Sequence, residues 1–227
     1  MTTADSELQG YDEAQKEMME ENCIIVDNND QIIGKDSKVN CHLYEGKLHR
    51  AFSVLIFNTN NKLLIQKRAD QKITFPSIWA NSCCSHPLYQ NGEEKGIEGA
   101  KNAAVRKLTQ ELGIKVGEIK SDDLNFITKM HYKARADKKW VEHEVDYIFV
   151  VKTDVQVNPN KNEIQKTNYV NSKELDKLFN MSSNNDDVKI GPWFRLIREN
   201  FLDNIWKNID ALENIKDIKV HHMGEVK

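Results

Sequence analysis

A helix read over 98–112 stands mid-chain with strand-like runs on both sides, and that order limits the folds open to the sequence. Val105, Leu108 and Leu112 form its apolar stripe, and Gly113 is its stop. Before it, residues 23–27 and 31–34 read as a hairpin turning at 28–30. Residues 51–57 and 62–67 read as a second hairpin, across 58–61. After it, strands are expected at 124–131, 143–152 and 164–170. Ser172 is expected to cap a short helix carrying Leu175 and Leu178, followed by a polar loop over 181–188. Pro192 opens a last helix striped by Phe194, Ile197, Phe201 and Ile205. No repeat or linker interrupts this order. The expectation is one α/β domain, its strands mixed in direction and its helices on the faces of the sheet.

A chain of 227 residues can bury a core without staples. Charged residues make up 30% and nearly cancel, at net −3, so no general attraction to nucleic acid or anionic membrane is expected. Any polyanion site must be a local cluster. Cys23, Cys41, Cys83 and Cys84 are not spaced as a secreted disulfide framework, and a bond between the adjacent pair would be strained. Four reduced thiols are expected. The first 21 residues are acidic and lack an apolar core, and no apolar run approaches membrane-spanning length. The chain reads as cytoplasmic, and as a monomer because no long apolar stripe is left over.

Two short stretches carry chemistry. In Asn81-Ser82-Cys83-Cys84-Ser85-His86-Pro87, an extended backbone points Cys84 and His86 to one side and Cys83 to the other. In Trp140-Val141-Glu142-His143-Glu144, strand spacing puts both carboxylates on one face and His143 opposite. Like charges so placed repel unless a cation sits between them. With His42, His49 and His86, Glu142 and Glu144 would make a mixed N/O site of five ligands, suited to Mn²⁺, Mg²⁺ or Zn²⁺. His131, His143, His221 and His222 read as structural.

Residues 92–114 contain Gly92, Glu98, Arg106, Glu111, Leu112, Gly113 and Ile114, spaced Gly-x5-Glu-x7-Arg-x4-Glu-x-Gly-Ile. This resembles the Nudix box, a loop-helix-loop that holds divalent cations against a diphosphate. Lys107 and Gln110 stand where that motif usually has glutamates. The loss of two carboxylates leaves Glu111 to hold a Mg²⁺–diphosphate but equips the helix poorly for hydrolysis. Lys107 adds a cation that could meet phosphate.

Taken together, these segments resemble the type I isopentenyl-diphosphate isomerases. The match rests on Asn40-Cys41-His42 with Leu48-His49-Arg50-Ala51-Phe52-Ser53, on Gln66-Lys67-Arg68-Ala69-Asp70-Gln71-Lys72 with Phe75-Pro76, on 81–87, on 140–144, and on Pro192-Trp193. The resemblance implies a Nudix-like α/β/α sandwich with a mixed β-sheet over 21–210, a polar extension over 1–20 and a polar tail over 211–227. It implies a small homoallylic or allylic diphosphate as substrate, isomerised by one proton added and one removed. Cys84 and Glu144 match the two proton-transfer groups, and Tyr132 the tyrosine that supports Glu144. Lys38, Arg68, Lys72, Ser85 and Lys107 match substrate contacts, and Trp193 the ring that faces a developing cation. A Mg²⁺ would sit at Glu111, and a second divalent metal (Mg²⁺, Mn²⁺ or Zn²⁺) at His42, His49, His86, Glu142 and Glu144. Ser77, Ala80 and Gly191 depart from the family pattern; Ser77 stands where a turn favours glycine. A Nudix hydrolase of a diphosphate is the alternative, and a non-catalytic metal-binding module or a cysteine hydrolase the more distant ones.

Overall fold

The computed structural model describes residues 6–226. The chain runs α1 (Glu13–Met19), β1 (Asn22–Val26), β2 (Ile32–Ser37), α2 (Lys38–His42), β3 (His49–Phe57), β4 (Leu63–Arg68), β5 (Trp79–Ala80) and β6 (Cys83–Ser85). There follow α3 (Gly96–Leu112), β7 (Asn125–Arg135), β8 (Val141–Lys152), β9 (Ile164–Val170), α4 (Ser172–Ser182), α5 (Pro192–Ile197), α6 (Asp203–Lys207) and β10 (Val220–Val226). The strands join in one mixed sheet with the main order β10-β7-β8-β3-β1-β2, while β4 carries β5 and β9.

β3 is central and buried along all nine residues. It runs parallel to β8 and antiparallel to β1 and β6. A strand covered on both faces reads as a continuous apolar run. Phe52, Val54 and Ile56 pack under α3, against Ala100, Ala103, Ala104 and Leu108. Leu55 and Phe57 pack on the other face, against Trp193, Phe194, Ile197 and Ile205 of α5 and α6. Helices cover both faces, as the α/β/α expectation requires.

Several local readings change. The second hairpin pairs only at Phe57↔Leu63, because β4 turns away to pair with β9 and β5. Asn171, not Ser172, caps α4: its side chain accepts from the Glu174 N–H, while Glu174 accepts from the Asn171 N–H. The stripe of α3 is carried by alanines with the expected Leu108 and Leu112, and Val105 is only half-buried. The last helix is interrupted by a π-turn over Arg198–Leu202. The C-terminal residues add β10 parallel to β7, and within the polar extension α1 buries Gln15 and Met19; residues 1–5 and 227 lie outside the described residues. Two glycines have steric causes. A Cβ on Gly99 would lie 2.2 Å from the Glu93 carbonyl oxygen, and Gly113 caps α3 at φ 65 with Asn158 O 2.1 Å from where its Cβ would be.

Candidate active site

Strand register assembles the site. Glu144 on β8 sits opposite His49 of β3 on one side and Tyr132 of β7 on the other. Ser53, four residues further along β3, faces Cys84 of β6. His42 ends α2, and His86 follows β6. Alternation along β8 points Glu142, Glu144 and Asp146 inward together, while His143 turns outward to stack on His131.

Glu144 is the hub. Its Oε1 lies 2.9 Å from His86 Nε2, 3.6 Å from His49 Nε2 and 4.0 Å from His42 Nε2. Its Oε2 accepts from the Tyr132 hydroxyl at 2.6 Å. One ligating atom from each of His42, His49, His86 and Glu144 falls within 4.8 Å of the others, and all four residues are buried. Glu142 stands beside this set and not in it: its carboxylate meets Thr74 Oγ1 at 3.3 Å and the Tyr132 hydroxyl at 3.2 Å.

The donor set fits a cation on its own geometry. The Nδ1 atoms of His42 and His49 each lie 2.7 Å from a backbone carbonyl, of Lys38 and Lys47. A carbonyl only accepts, so both Nδ1 atoms carry the proton and both Nε2 lone pairs face Glu144. Lone pairs converging on a carboxylate in a buried space call for a positive charge between them. His49 Nε2 and His86 Nδ1 are buried without a hydrogen-bond partner.

The electrostatics sort the groups by proton. Burial pushes the Cys84 thiol up to about 12, although the Arg68 guanidinium pulls it down. Burial also raises the Tyr132 phenol well above its usual range, with Glu144 adding to it. Burial works against the Glu144 carboxylate, but the neighbouring His49 and His86 imidazoles hold it well below the usual range. Burial, then repulsion from Glu144, brings Glu142 up to about 8 and Asp146 well above the ordinary carboxylate value. A protonated thiol and an ionised carboxylate therefore line one cavity.

Lys38, Arg68, Lys72, Ser85, Glu111 and Trp193 line that cavity too. Arg68 is anchored by the carbonyls of Phe75 and Thr74 and reaches Cys84 Sγ at 3.7 Å. Its guanidinium lies 5.5 Å from the centre of the Trp193 ring, whose Nε1 donates to Asn81 Oδ1 at 3.0 Å. Lys107 is not on the cavity wall. Buried at 3% exposure, it lies 3.2 Å from Glu111 Oε1, so it faces a carboxylate where a phosphate contact was expected. Cys83 turns to the α3 side, where its thiol donates to Glu111 Oε2 at 3.5 Å; it is more than packing. Arg106 clamps Glu93 through two bonds of 2.7 and 2.8 Å and so fixes the loop before α3. Ser77 holds φ 61, the left-handed turn geometry, with its hydroxyl on Asp70.

Some cavity residues were not foreseen. Gln15 of α1 bonds Glu163 Oε1 at 2.9 Å, and Lys72 Nζ lies 2.8 Å from Glu163 Oε2. Burial opposes the Glu163 charge, but Lys72, Lys107 and Lys38 outweigh it and bring Glu163 down to about 2. Lys72 is itself lowered, because its burial outweighs Glu163 and because Arg68 and Lys38 face it. The carboxylate is thus the secure member of the pair. Asp146 keeps Oδ1 unpartnered and accepts from the Ser53 hydroxyl at 2.8 Å. Only the acidic alternation of β8 hinted at Asp146; contacts 147 and 148 residues apart placed Gln15.

A NUDIX-domain family model matches residues 47–194. Isopentenyl-diphosphate Delta-isomerase 1 of Bos taurus is 47% identical over 93% of this chain and 96% of its own length. The isopentenyl-diphosphate delta-isomerase of Schizosaccharomyces pombe is 44% identical over 96% of this chain and 98% of its own. The chloroplastic isopentenyl-diphosphate Delta-isomerase I of Arabidopsis thaliana is 43% identical over 98% of this chain and 80% of its own. Among solved structures, a Deinococcus radiodurans protein superposes with TM-score 0.57 at 15% identity, covering 80% of this chain and 99% of that one. A NUDIX hydrolase of Alicyclobacillus acidocaldarius gives TM-score 0.52 at 10% identity, covering 75% and 97%. At such identities the structures show the fold alone. The extent and level of the sequence matches show that the chain belongs to the isopentenyl-diphosphate Delta-isomerase family of NUDIX-domain proteins.

Proposed function

We infer that this chain interconverts isopentenyl diphosphate and dimethylallyl diphosphate, the activity its relatives' names carry. It is an isomerase that transposes a C=C bond in isoprenoid and sterol biosynthesis. The observation that carries this reading is the placing of Cys84 and the Glu144–Tyr132 pair on one cavity with opposite proton states. The reaction adds a proton at the terminal alkene carbon and removes one from the allylic carbon. One group that holds its proton and one that lacks it can do both without water. Tyr132 steadies Glu144 and can relay its proton. Trp193 presents a ring to the tertiary cation-like intermediate, worth on the order of 1–2 kcal/mol when desolvated.

Lys38, Arg68, Lys72 and Ser85 form the diphosphate end, with Arg68 suited to paired contacts and the lysines acting as point charges. His42, His49, His86 and Glu144 would hold one divalent metal, with Glu142 at its side, and Glu111 a Mg²⁺. Such ions supply positive charge that orients Glu144 and neutralises diphosphate. Lys107 holds Glu111 from behind. That leaves the α3 helix with fewer free carboxylates than hydrolysis needs, which argues against a hydrolase. All four cysteines are free, which favours a reducing compartment, here the cytoplasm. No helix among the described residues is long and apolar enough to cross a membrane. A monomer acting on a small diphosphate, without nucleic acid, is the simplest assembly for a cavity built within one chain.

Incubation of purified protein with isopentenyl diphosphate and Mg²⁺ in D₂O tests the reading. Dimethylallyl diphosphate carrying deuterium, with no phosphate released, is expected. Phosphate release without deuterium uptake would overturn it and favour the hydrolase.

A further inference from the structure

On the reading of Lys38, Arg68 and Lys72 as the diphosphate end, we propose that Glu163 is a positioning residue. From behind the cavity wall it holds the Lys72 ammonium in place, and so sets affinity for substrate without touching it. Lys72 lines the cavity with its side chain 11% exposed, and Glu163 behind it is 4% exposed. Lys72 Nζ lies 2.8 Å from Glu163 Oε2, and Glu163 Oε1 accepts from Gln15 Nε2 at 2.9 Å. Both carboxylate oxygens are therefore engaged. The backbone adds a second tie. The Ala69 N–H donates to the Glu163 carbonyl at 3.0 Å, and the Lys72 N–H to the Ala69 carbonyl at 3.3 Å. Main chain and side chain thus join Glu163 to the turn that carries Lys72.

A lysine stem is flexible, and a free one must be ordered when its ligand arrives. One that is already held loses that freedom on folding, before substrate binds. Burial, with Arg68 and Lys38 facing it, works against the Lys72 charge, and Glu163 and then Glu111 support it. Glu163 itself faces Lys107 and Lys38 as well as Lys72. Its negative charge also repels a diphosphate, so two effects of opposite sign meet here. Loss of the charge alone would tighten diphosphate binding, whereas loss of Lys72 placement would loosen it. The sign of the change in KM separates them.

Glu163→Gln keeps the shape and removes the charge. With isopentenyl diphosphate and saturating Mg²⁺, its KM should rise about tenfold while kcat changes by less than about twofold. Lys72→Met should raise KM at least as far, and Glu163→Gln added to Lys72→Met should raise it no further. An unchanged or lowered KM in Glu163→Gln would overturn the role, even if stability falls, because a structural anchor alone would give that result. A further tenfold rise on top of Lys72→Met would also overturn it. If Glu163→Gln folds poorly, Glu163→Asp keeps the charge but draws it back by one methylene. Its KM should rise about threefold, and an unchanged KM would overturn the placement. Calorimetric titration of the same proteins with inorganic pyrophosphate and Mg²⁺ makes the comparison without turnover. Wild type that binds pyrophosphate but does not isomerise would sink the isomerase reading alone, and the Kd ratio would then decide Glu163 by the same signs. Wild type that binds no pyrophosphate would overturn both.

Discussion

The sheet carries two histidine clusters, and one strand feeds both. Glu144 of β8 meets His42, His49 and His86 inside, while its neighbour His143 meets His131 outside, and His131 in turn meets His222. Inside, His42 and His49 are pinned through Nδ1 to backbone carbonyls, so their free nitrogens converge on one carboxylate. Outside, the rings contact one another, and no anion sits among them. Burial acts on both clusters, and outside it brings His143 down to about 4. Burial first, then the two neighbouring imidazoles, holds His42 well below its usual range, and burial brings His86 down to about 3 despite Glu144. A carboxylate at the meeting point of three imidazoles makes a centre for a hard or borderline cation, whereas the outer rings, with no carboxylate among them, bond to one another.

The sharpest way to break the comparison is Glu144→Gln. It keeps the shape and removes the charge. Turnover should fall by about 10²–10⁴-fold, the usual weight of a positioned proton-transfer group. Metal held by the buried set should weaken. Assays of rate and of metal per chain check this, and near-normal turnover would remove Glu144 from catalysis.

Cys84→Ala divides the inner region further. Cys84 lines the cavity but lies outside the four-donor set. Activity should be lost to a similar degree while metal content is retained. Cys83→Ala should be milder, because residue 83 points to α3 and Glu111. Equal losses in the two variants would contradict the alternation along β6.

Burial as the governing variable is sharpened at Glu163, which sits at 4% exposure among lysines. Glu163→Gln leaves Lys72 buried without its anion and should cost about 1–3 kcal/mol at neutral pH. The sign with pH follows from the lowered value. A carboxylate brought down to about 2 in the folded chain, from an ordinary 4.5, stabilises fully above 4.5 and loses that contribution as pH falls through about 2. The stability gap between wild type and variant should therefore close in acid. Urea unfolding at pH 7 and below pH 3 measures it, and a gap that widens in acid would contradict the Lys72–Glu163 pairing.

Much of this contrast was legible in the residues. Alternation in Trp140-Val141-Glu142-His143-Glu144 separated inward carboxylates from the outward histidine, and Gly113 marked the end of α3. The inner histidines were another matter. No local pattern connects His42, His49 and His86; residue type suggested grouping them, and likeness to a family made the grouping specific. Register explains why: His49 meets Glu144 through a parallel pairing of distant strands, which single-sequence periodicity does not encode. The same limit hid Gln15, which reaches Glu163 across 148 residues, and the outer cluster, which needs the parallel strand β10. Lys107 shows the reverse error. Its charge matched a phosphate role by position, but the helix buries it against Glu111.

The smallest expected effect falls on the outer cluster. His222 is exposed and on an edge strand, so His222→Ala should change stability by no more than about 0.5 kcal/mol and leave turnover unchanged. A matching substitution inside, His49→Ala, should behave in the opposite way. It removes a fully buried ring on the central strand and a donor whose free nitrogen faces Glu144, so stability, metal and turnover should fall together. If His222→Ala cost as much stability as His49→Ala, exposure would not separate the two clusters, and the distinction drawn between the two faces of β8 would fail.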